Sequence, residues 1–228
     1  IISGTKNFIT HAISGDVAVV MARTGEPRTS NNSTAFIIDK GTVGFSGGKK
    51  EDKLGMRASE TAELVMDNVR ISDNQRLGEV GDGFKQAMKV LDGGRISIAA
   101  LSLGVAKGAY EHSVKYAKER EQFGQPIAKF NSIEGKIADL VVRIYSADAM
   151  LYRTVGLIQE AIDDLDKTSS DYYIQMVKTM ERFAVESSMA KVYGSETSDK
   201  VVDNCLQIFG GYGFIEEYPI AMAYRDDR

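Results

Sequence analysis

Two rhythms of apolar and polar positions divide the chain. Up to about Ser72 the apolar runs are short and rich in β-branched residues: "DVAVVMA" at 16–22, "TAFIIDK" at 34–40 and "TAELVMDNVRI" at 61–71. Between them lie "TGEPRTSNNS" and "KGTVGFSGGKKEDKLG", whose Gly, Asn, Ser and Pro favour turns. Such spacing predicts an antiparallel β portion, a small barrel or sandwich. After the turn "GEVGDG" the period changes. Phe84, Met88, Leu91, Ile98, Leu101, Val105 and Tyr116 mark one face of a long helix, with Gly93 and Gly94 inside it. Each such glycine costs about 1 kcal/mol against alanine, so the pair needs a reason, such as close approach of a ligand or of another helix.

A second helix follows "FGQPIAKF", with Ile133, Ile137, Leu140, Ile144, Leu151, Val155 and Ile158 on one face, and ends near the polar linker "DDLDKTSSD". A third runs from about Tyr172 through Met176, Met180, Ala184, Ala190, Val201 and Cys205, with small residues that permit close packing. The expected fold class is therefore α+β: an antiparallel β-barrel or sandwich portion over residues 1–76, then an up-down four-helix-bundle domain over 77–228.

Composition narrows the function. With 28 basic and 32 acidic residues the net charge is -4, which argues against a nucleic-acid binder held by phosphate neutralisation. No apolar run reaches the roughly 20 residues of a membrane span. The one cysteine, Cys205, suits a reducing compartment, cytoplasm or mitochondrial matrix, and reads as a small buried hydrophobe. His11 and His112 have no cysteine or carboxylate cluster at metal-ligand spacing, so no metal is expected. The chain opens at Ile1 in strand-like residues and stops at Arg228 in helix-like ones, and so reads as a piece of a longer protein.

"CLQIFGGYGF" at 205–214 poses the sharpest question. Val201, Cys205 and Ile208 stand at i, i+4 and i+7, so the glycines follow a helix and not a buried strand, and a dinucleotide loop of the Rossmann kind is out of place. They end that helix, or they admit a ligand.

Five stretches in this order resemble the acyl-CoA dehydrogenase family of flavoproteins: "GTKNFIT" at 4–10, "EDKLGMRASETAEL" at 51–64, "LDGGRISIAA" at 91–100, "REQFGQPIAKF" at 120–130 and "QIFGGYGFIEEYP" at 207–219. The resemblance covers the later part of that family's middle β domain and most of its C-terminal helical domain. It implies FAD-dependent α,β-dehydrogenation of an acyl-CoA to the trans-2-enoyl-CoA, with electrons passing to an electron-transfer flavoprotein. It also implies a homo-oligomer, a dimer of dimers.

By the same resemblance Phe8, Ile9 and Thr10 pack on the flavin, Phe8 against the ring where many relatives carry tryptophan and Thr10 near N5. Read without it, Phe8 and Thr10 are an ordinary strand pair. Arg120 resembles an arginine that reaches the FAD pyrophosphate of a neighbouring subunit, a task suited to a planar fork. Its alternative is a solvated charge at a helix end. Asn131 stands where relatives often have a glutamine touching the adenosine part, and Gln207, Ile208, Phe209, Gly210 and Gly211 match the family's FAD-binding turn. A basic residue of that signature is replaced by Met222. Asp92, Gly93, Gly94 and Arg95 resemble the stretch along the pantetheine and thioester, and Arg95 alternatively pairs with a nearby carboxylate.

The resemblance places the catalytic carboxylate after the segment matching "YPIAMAYRDDR", or in fewer relatives just before the position of Arg95, which here is Gly94. The base is therefore expected downstream of Arg228, and the 228 residues alone are expected to be inactive. An acyl-CoA oxidase and a non-catalytic assembly member share these motifs and remain open. "KLGMRASETAEL" leans toward long-chain relatives.

Overall fold

The structure is a computed structural model that describes residues 1–26, 28–29 and 31–227. The linker reading at Pro27 and Ser30 and the helical reading at Arg228 fall outside these residues. Two compact units separate after Val90.

The first unit holds the strands β1 (Ile2–Thr10), β2 (Val17–Arg23), β3 (Ser33–Asp39), β4 (Phe45–Lys50), β5 (Thr61–Val69) and the two-residue β6 (Arg76–Leu77). They form two antiparallel sheets, ordered β1-β5-β4 and β2-β3-β6. Val20 and Ile38 from one sheet and Met66 and Val69 from the other share a single buried cluster, so the sheets pack as a sandwich. β4 is the strand that the pattern of apolar residues does not announce, since "FSGGKK" has one apolar side chain. Its glycines answer to crowding. A Cβ on Gly47 would lie 2.9 Å from the Ile13 side chain, and one on Gly48 would lie 2.9 Å from that of Glu63.

The second unit is helical. The helix α1 (Gly83–Glu119) leads into it, followed by the hairpin β7 (Glu121–Gln122) and β8 (Gln125–Pro126), then α2 (Asn131–Asp163), α3 (Tyr172–Glu181), α4 (Ala184–Phe209) and α5 (Pro219–Asp227). Ion pairing of Lys107 with Asp148 and a 2.8 Å hydrogen bond from Lys136 to Asn204 place α2 antiparallel to both α1 and α4. The three long helices thus alternate in direction. The expected third helix is in fact two, because backbone N–H groups of Arg182 and Phe183 reach back to Thr179 and Met180 in tight i to i+3 bonds that end α3. No proline or glycine marks that break in the sequence.

Only part of the expected face of α1 packs on the core, through Val105 and Tyr116. Ala99, Leu103, Ala106, Ala109, Ser113 and Ala117 face the core, whereas Phe84, Met88, Leu91, Ile98 and Leu101 are exposed. The helices touch at one point of this face, where a Cβ on Gly194 of α4 would rest in van der Waals contact with the Ala99 backbone at 3.4 Å. A Cβ on Gly93 would lie 3.2 Å from the Met180 methyl group of α3, the end of a flexible side chain. Gly94 faces open space. Among the described residues no helix is long and apolar enough to cross a membrane.

Cys205 is fully buried in the helical core. Burial pushes its thiol up to about 11, against a smaller opposing effect of the Ser113 hydroxyl. A thiol held neutral and out of reach is a poor nucleophile. The Cys205 peptide of the native protein is expected to stay unlabelled by a thiol-disulfide exchange reagent at pH 8 and to label fully in denaturant. Stoichiometric native labelling, read by mass spectrometry, would contradict this packing.

Candidate functional site

At the end of β1 the pairing slips. Lys6 opposes Leu64 and Ile9 opposes Ala62, so β1 takes one residue more than β5 over the same length. Such a bulge re-aims side chains. Phe8 sits in it at φ 59, a left-handed conformation that bulky residues rarely adopt, with 74% of its surface exposed. Simple strand alternation is therefore broken at this point. Ile9 is half-buried and Thr10, paired with Thr61, is exposed. Ile9 and Thr10 line a cleft of about 410 Å³ together with Lys6, Val19, Val20 and Phe45.

A second cleft, of about 560 Å³, forms in the helical unit where α1 ends beside the end of α4. Arg120 is held there through its backbone: its N–H donates to Tyr116 at 2.8 Å and its carbonyl accepts from Ile127 at 2.8 Å. Arg120 is half-buried, and its guanidinium carbon lies 5.5 Å from the centre of the Tyr212 ring. Among the described residues no carboxylate pairs with it. A half-buried cation without a counter-ion is a seat for an anion. The hairpin beyond Arg120 turns on Phe123 (φ 54) and Gly124 (φ 83), a two-residue turn with both angles positive. That turn lifts the Phe123 ring into solvent, 93% exposed.

The glycines of "GGYG" have three different causes. Gly210 follows α4 at φ 59 and ψ -132, which a side chain resists. Gly213 lies against α4, where a Cβ would come 2.5 Å from the Leu206 carbonyl. Gly211 has neither constraint: its φ is not in the left-handed range and nothing lies within 4 Å of where its Cβ would be. Its bare backbone borders the same cleft as Arg120. The cluster therefore ends the helix with one glycine, packs with another and leaves the third open to a ligand.

Aromatic rings fix this corner. Tyr116 stacks on Phe209 at 4.2 Å and 14°, and Tyr218 meets Phe209 at 5.7 Å and Tyr212 at 5.3 Å. Burial raises the Tyr116 pKa, against a smaller opposing effect of the Arg120 charge. Of the expected site residues, Arg120, Ile208, Phe209, Gly210 and Gly211 come together at the cleft; Ile208 and Phe209 are buried beneath it. Asn131, at the start of α2, and Gln207 are exposed and do not line it. Arg95 is ion-paired with Asp92 one helical turn away, which is its plainer alternative. The sequence gives no site role to Phe123 or Tyr212 and reads Tyr116 only as part of the apolar face of α1. The "FG" pair between Gln122 and Gln125 was the available signal for Phe123, because such a turn forces its first residue outward. Among the described residues no group of three or more His, Cys, Asp or Glu could hold a metal ion.

A sheet sandwich followed by antiparallel helices, with an unpaired arginine beside an open glycine turn, is the architecture that the resemblance implied. Residues 81–228 match the family described as acyl-CoA dehydrogenase, C-terminal domain, and residues 1–69 match acyl-CoA dehydrogenase, middle domain. The chain belongs to the acyl-CoA dehydrogenase family. An acyl-CoA dehydrogenase, short-chain specific, from Megasphaera elsdenii is 40% identical over 225 residues, 99% of this chain and 54% of the relative. Subunit CarC of the caffeyl-CoA reductase-Etf complex from Acetobacterium woodii is 39% identical over 228 residues, 100% of this chain and 55% of that protein. The crystal structure of an acyl-CoA dehydrogenase complexed with FAD from Bacillus anthracis has a TM-score of 0.94 at 37% identity, covering 99% of this chain and 38% of that one. The chain spans about half the length of the curated relatives it matches.

The bulge gives a direct test. Moving Phe8 to glycine relieves a left-handed angle worth about 1–2 kcal/mol and adds about 0.5–1 kcal/mol of chain entropy cost. Phe8→Gly is expected to leave stability in urea unchanged or raised by up to about 1 kcal/mol. A loss above about 1 kcal/mol would mean that the ring is packed.

Proposed function

We propose that this chain forms the middle and C-terminal parts of an FAD-dependent acyl-CoA dehydrogenase, which converts an acyl-CoA thioester to the trans-2-enoyl-CoA and passes electrons to an electron-transfer flavoprotein. One observation carries the reading: the uncompensated Arg120 guanidinium shares a cleft with the open backbone of Gly211. The donor set fits a dinucleotide. A forked cation suits a pyrophosphate, and a bare glycine lets backbone N–H groups approach it. FAD, when bound, supplies the acceptor for the hydride leaving the acyl β-carbon.

The chain's own residues then have distinct tasks. Arg120 grips the pyrophosphate of a neighbouring subunit's FAD, Gly210 and Gly211 admit it, and Ile208 and Phe209 form the floor. Phe123, lifted into solvent on a strained turn, is an apolar plate for the adenine. Asn131 and Gln207 offer exposed amides to the adenosine part. Phe8, presented by the bulge, covers the flavin ring and excludes water from it, while Ile9 backs the ring and Thr10 donates its hydroxyl near N5. Asp92 holds Arg95 along the pantetheine, with Gly94 leaving room for the thioester. Gly94 has no side chain and is not the base.

Exposed apolar stripes support assembly. Val185, Met189 and Val192 lie at i, i+4 and i+7 of α4, and Val142, Tyr145 and Tyr152 are open on α2. The full-length, flavin-loaded protein is expected to scatter light as a homotetramer, or at least a dimer. A stable monomer would overturn the shared-site reading.

The relative from Megasphaera is named for short chains, which counters the long-chain lean of "KLGMRASETAEL". A second reading, reduction of an enoyl-CoA by the same residues in reverse, is favoured by the name of the Acetobacterium relative. Comparing acyl-CoA with enoyl-CoA as the substrate that bleaches or restores the flavin colour separates the two.

Arg120→Lys replaces a bidentate fork with a point charge and is expected to lower FAD retention through gel filtration, with an affinity loss of roughly tenfold, the scale of one charge-assisted hydrogen bond. Unchanged flavin content and affinity would return Arg120 to a solvated charge.

A further inference from the structure

We infer that Tyr212 is a positioning residue, one that holds the Arg120 guanidinium in the plane from which it grips an anion. The inference rests on the reading of Arg120 as the pyrophosphate ligand and adds to it the group that aims that ligand. The Arg120 carbon is 5.5 Å from the Tyr212 ring centre, within the range where a cation is drawn to a π face. Both ends of the pair are anchored. Arg120 is fixed through its own N–H and carbonyl, to Tyr116 and Ile127. Tyr212 rides on the 3-10 turn Gly210–Phe214, which is pressed against α4 by the missing side chain of Gly213. Its ring is backed by Tyr218, which in turn touches Phe209 and Tyr116.

A long arginine arm loses much rotamer freedom when it closes on a ligand, and an arm already laid on a ring loses less. A cation–π contact uses no N–H donor bond to an acceptor atom, so the guanidinium keeps its donors for an anion. No hydrogen bond of the Tyr212 hydroxyl is found among the described residues, so the ring makes the contact and the hydroxyl is dispensable to it.

The test is a double-mutant cycle on the full-length protein, with FAD as the probe and its dissociation constant read by flavin fluorescence. Tyr212→Leu is expected to raise the constant about two- to fivefold, the range of an exposed cation–π contact. Tyr212→Phe, which keeps the face, is expected to stay within about twofold of the parent. In an Arg120→Ala background Tyr212→Leu is expected to add nothing. Tyr212→Met, closer in bulk against Tyr218, takes the place of the leucine variant if that protein does not fold. An equal effect of Tyr212→Leu with and without Arg120, or a phenylalanine variant as weak as leucine, overturns the positioning role while leaving Arg120 as the ligand. An Arg120→Ala variant with unchanged affinity overturns both.

Discussion

Two contacts between α1 and α4, Ala99 with Gly194 and Tyr116 with Phe209, bring the two sides of the candidate site together. A Cβ on Gly194 would rest in van der Waals contact with the Ala99 backbone, and Ala106, Ala109, Ser113 and Ala117 follow on the buried face of α1. Further along both helices, Tyr116 stacks on Phe209. From Ala99 to Tyr116 and from Gly194 to Phe209 the helices advance by about 25 and 22 Å, so these contacts fix two parallel rods of nearly equal length. Their ends must therefore meet. The end of one delivers Arg120, and the end of the other delivers the glycine turn.

On α1 mostly small residues are turned inward and several large apolar ones outward. Hydrophobicity decides that some face is buried, whereas the distance between backbones decides which residues fit there. Phe84, Met88, Leu91, Ile98 and Leu101 remain available for surfaces other than the bundle's own core. In the sheet unit a comparable trade occurs at Phe8, where an unfavourable backbone angle is kept with an aromatic ring in solvent. Angles of that kind cluster where a side chain is being presented to something.

Much of the fold was legible in the sequence, and the limits have physical causes. β2, β3 and β5 were visible because β-branched runs alternate with turn residues, and α2 because its buried Leu140, Ile144 and Leu151 keep the helical period. β4 was not, since its pairing with β5 comes from backbone hydrogen bonds and its glycines answer to neighbours distant in sequence. The break between α3 and α4 lacked any local signal. At the site, Arg120 and the glycine turn were found by resemblance, but the reason for each separate glycine needed coordinates. So did the pairing of Arg120 with Tyr212, because nothing in either local sequence says that residues from two helices will share a cleft.

The aromatic corner also has a place in time. Tyr116 and Phe209 are 93 residues apart, and joining them closes a loop that spans α2, α3 and nearly all of α4. Loop closure of that length is costly in entropy and is favourable only after the intervening helices have docked. The cofactor corner is thus a long-range contact, completed only once the helices between its two rings are in place. During synthesis, the chain has made all of α1 and α2 before the residues that complete this corner leave the ribosome.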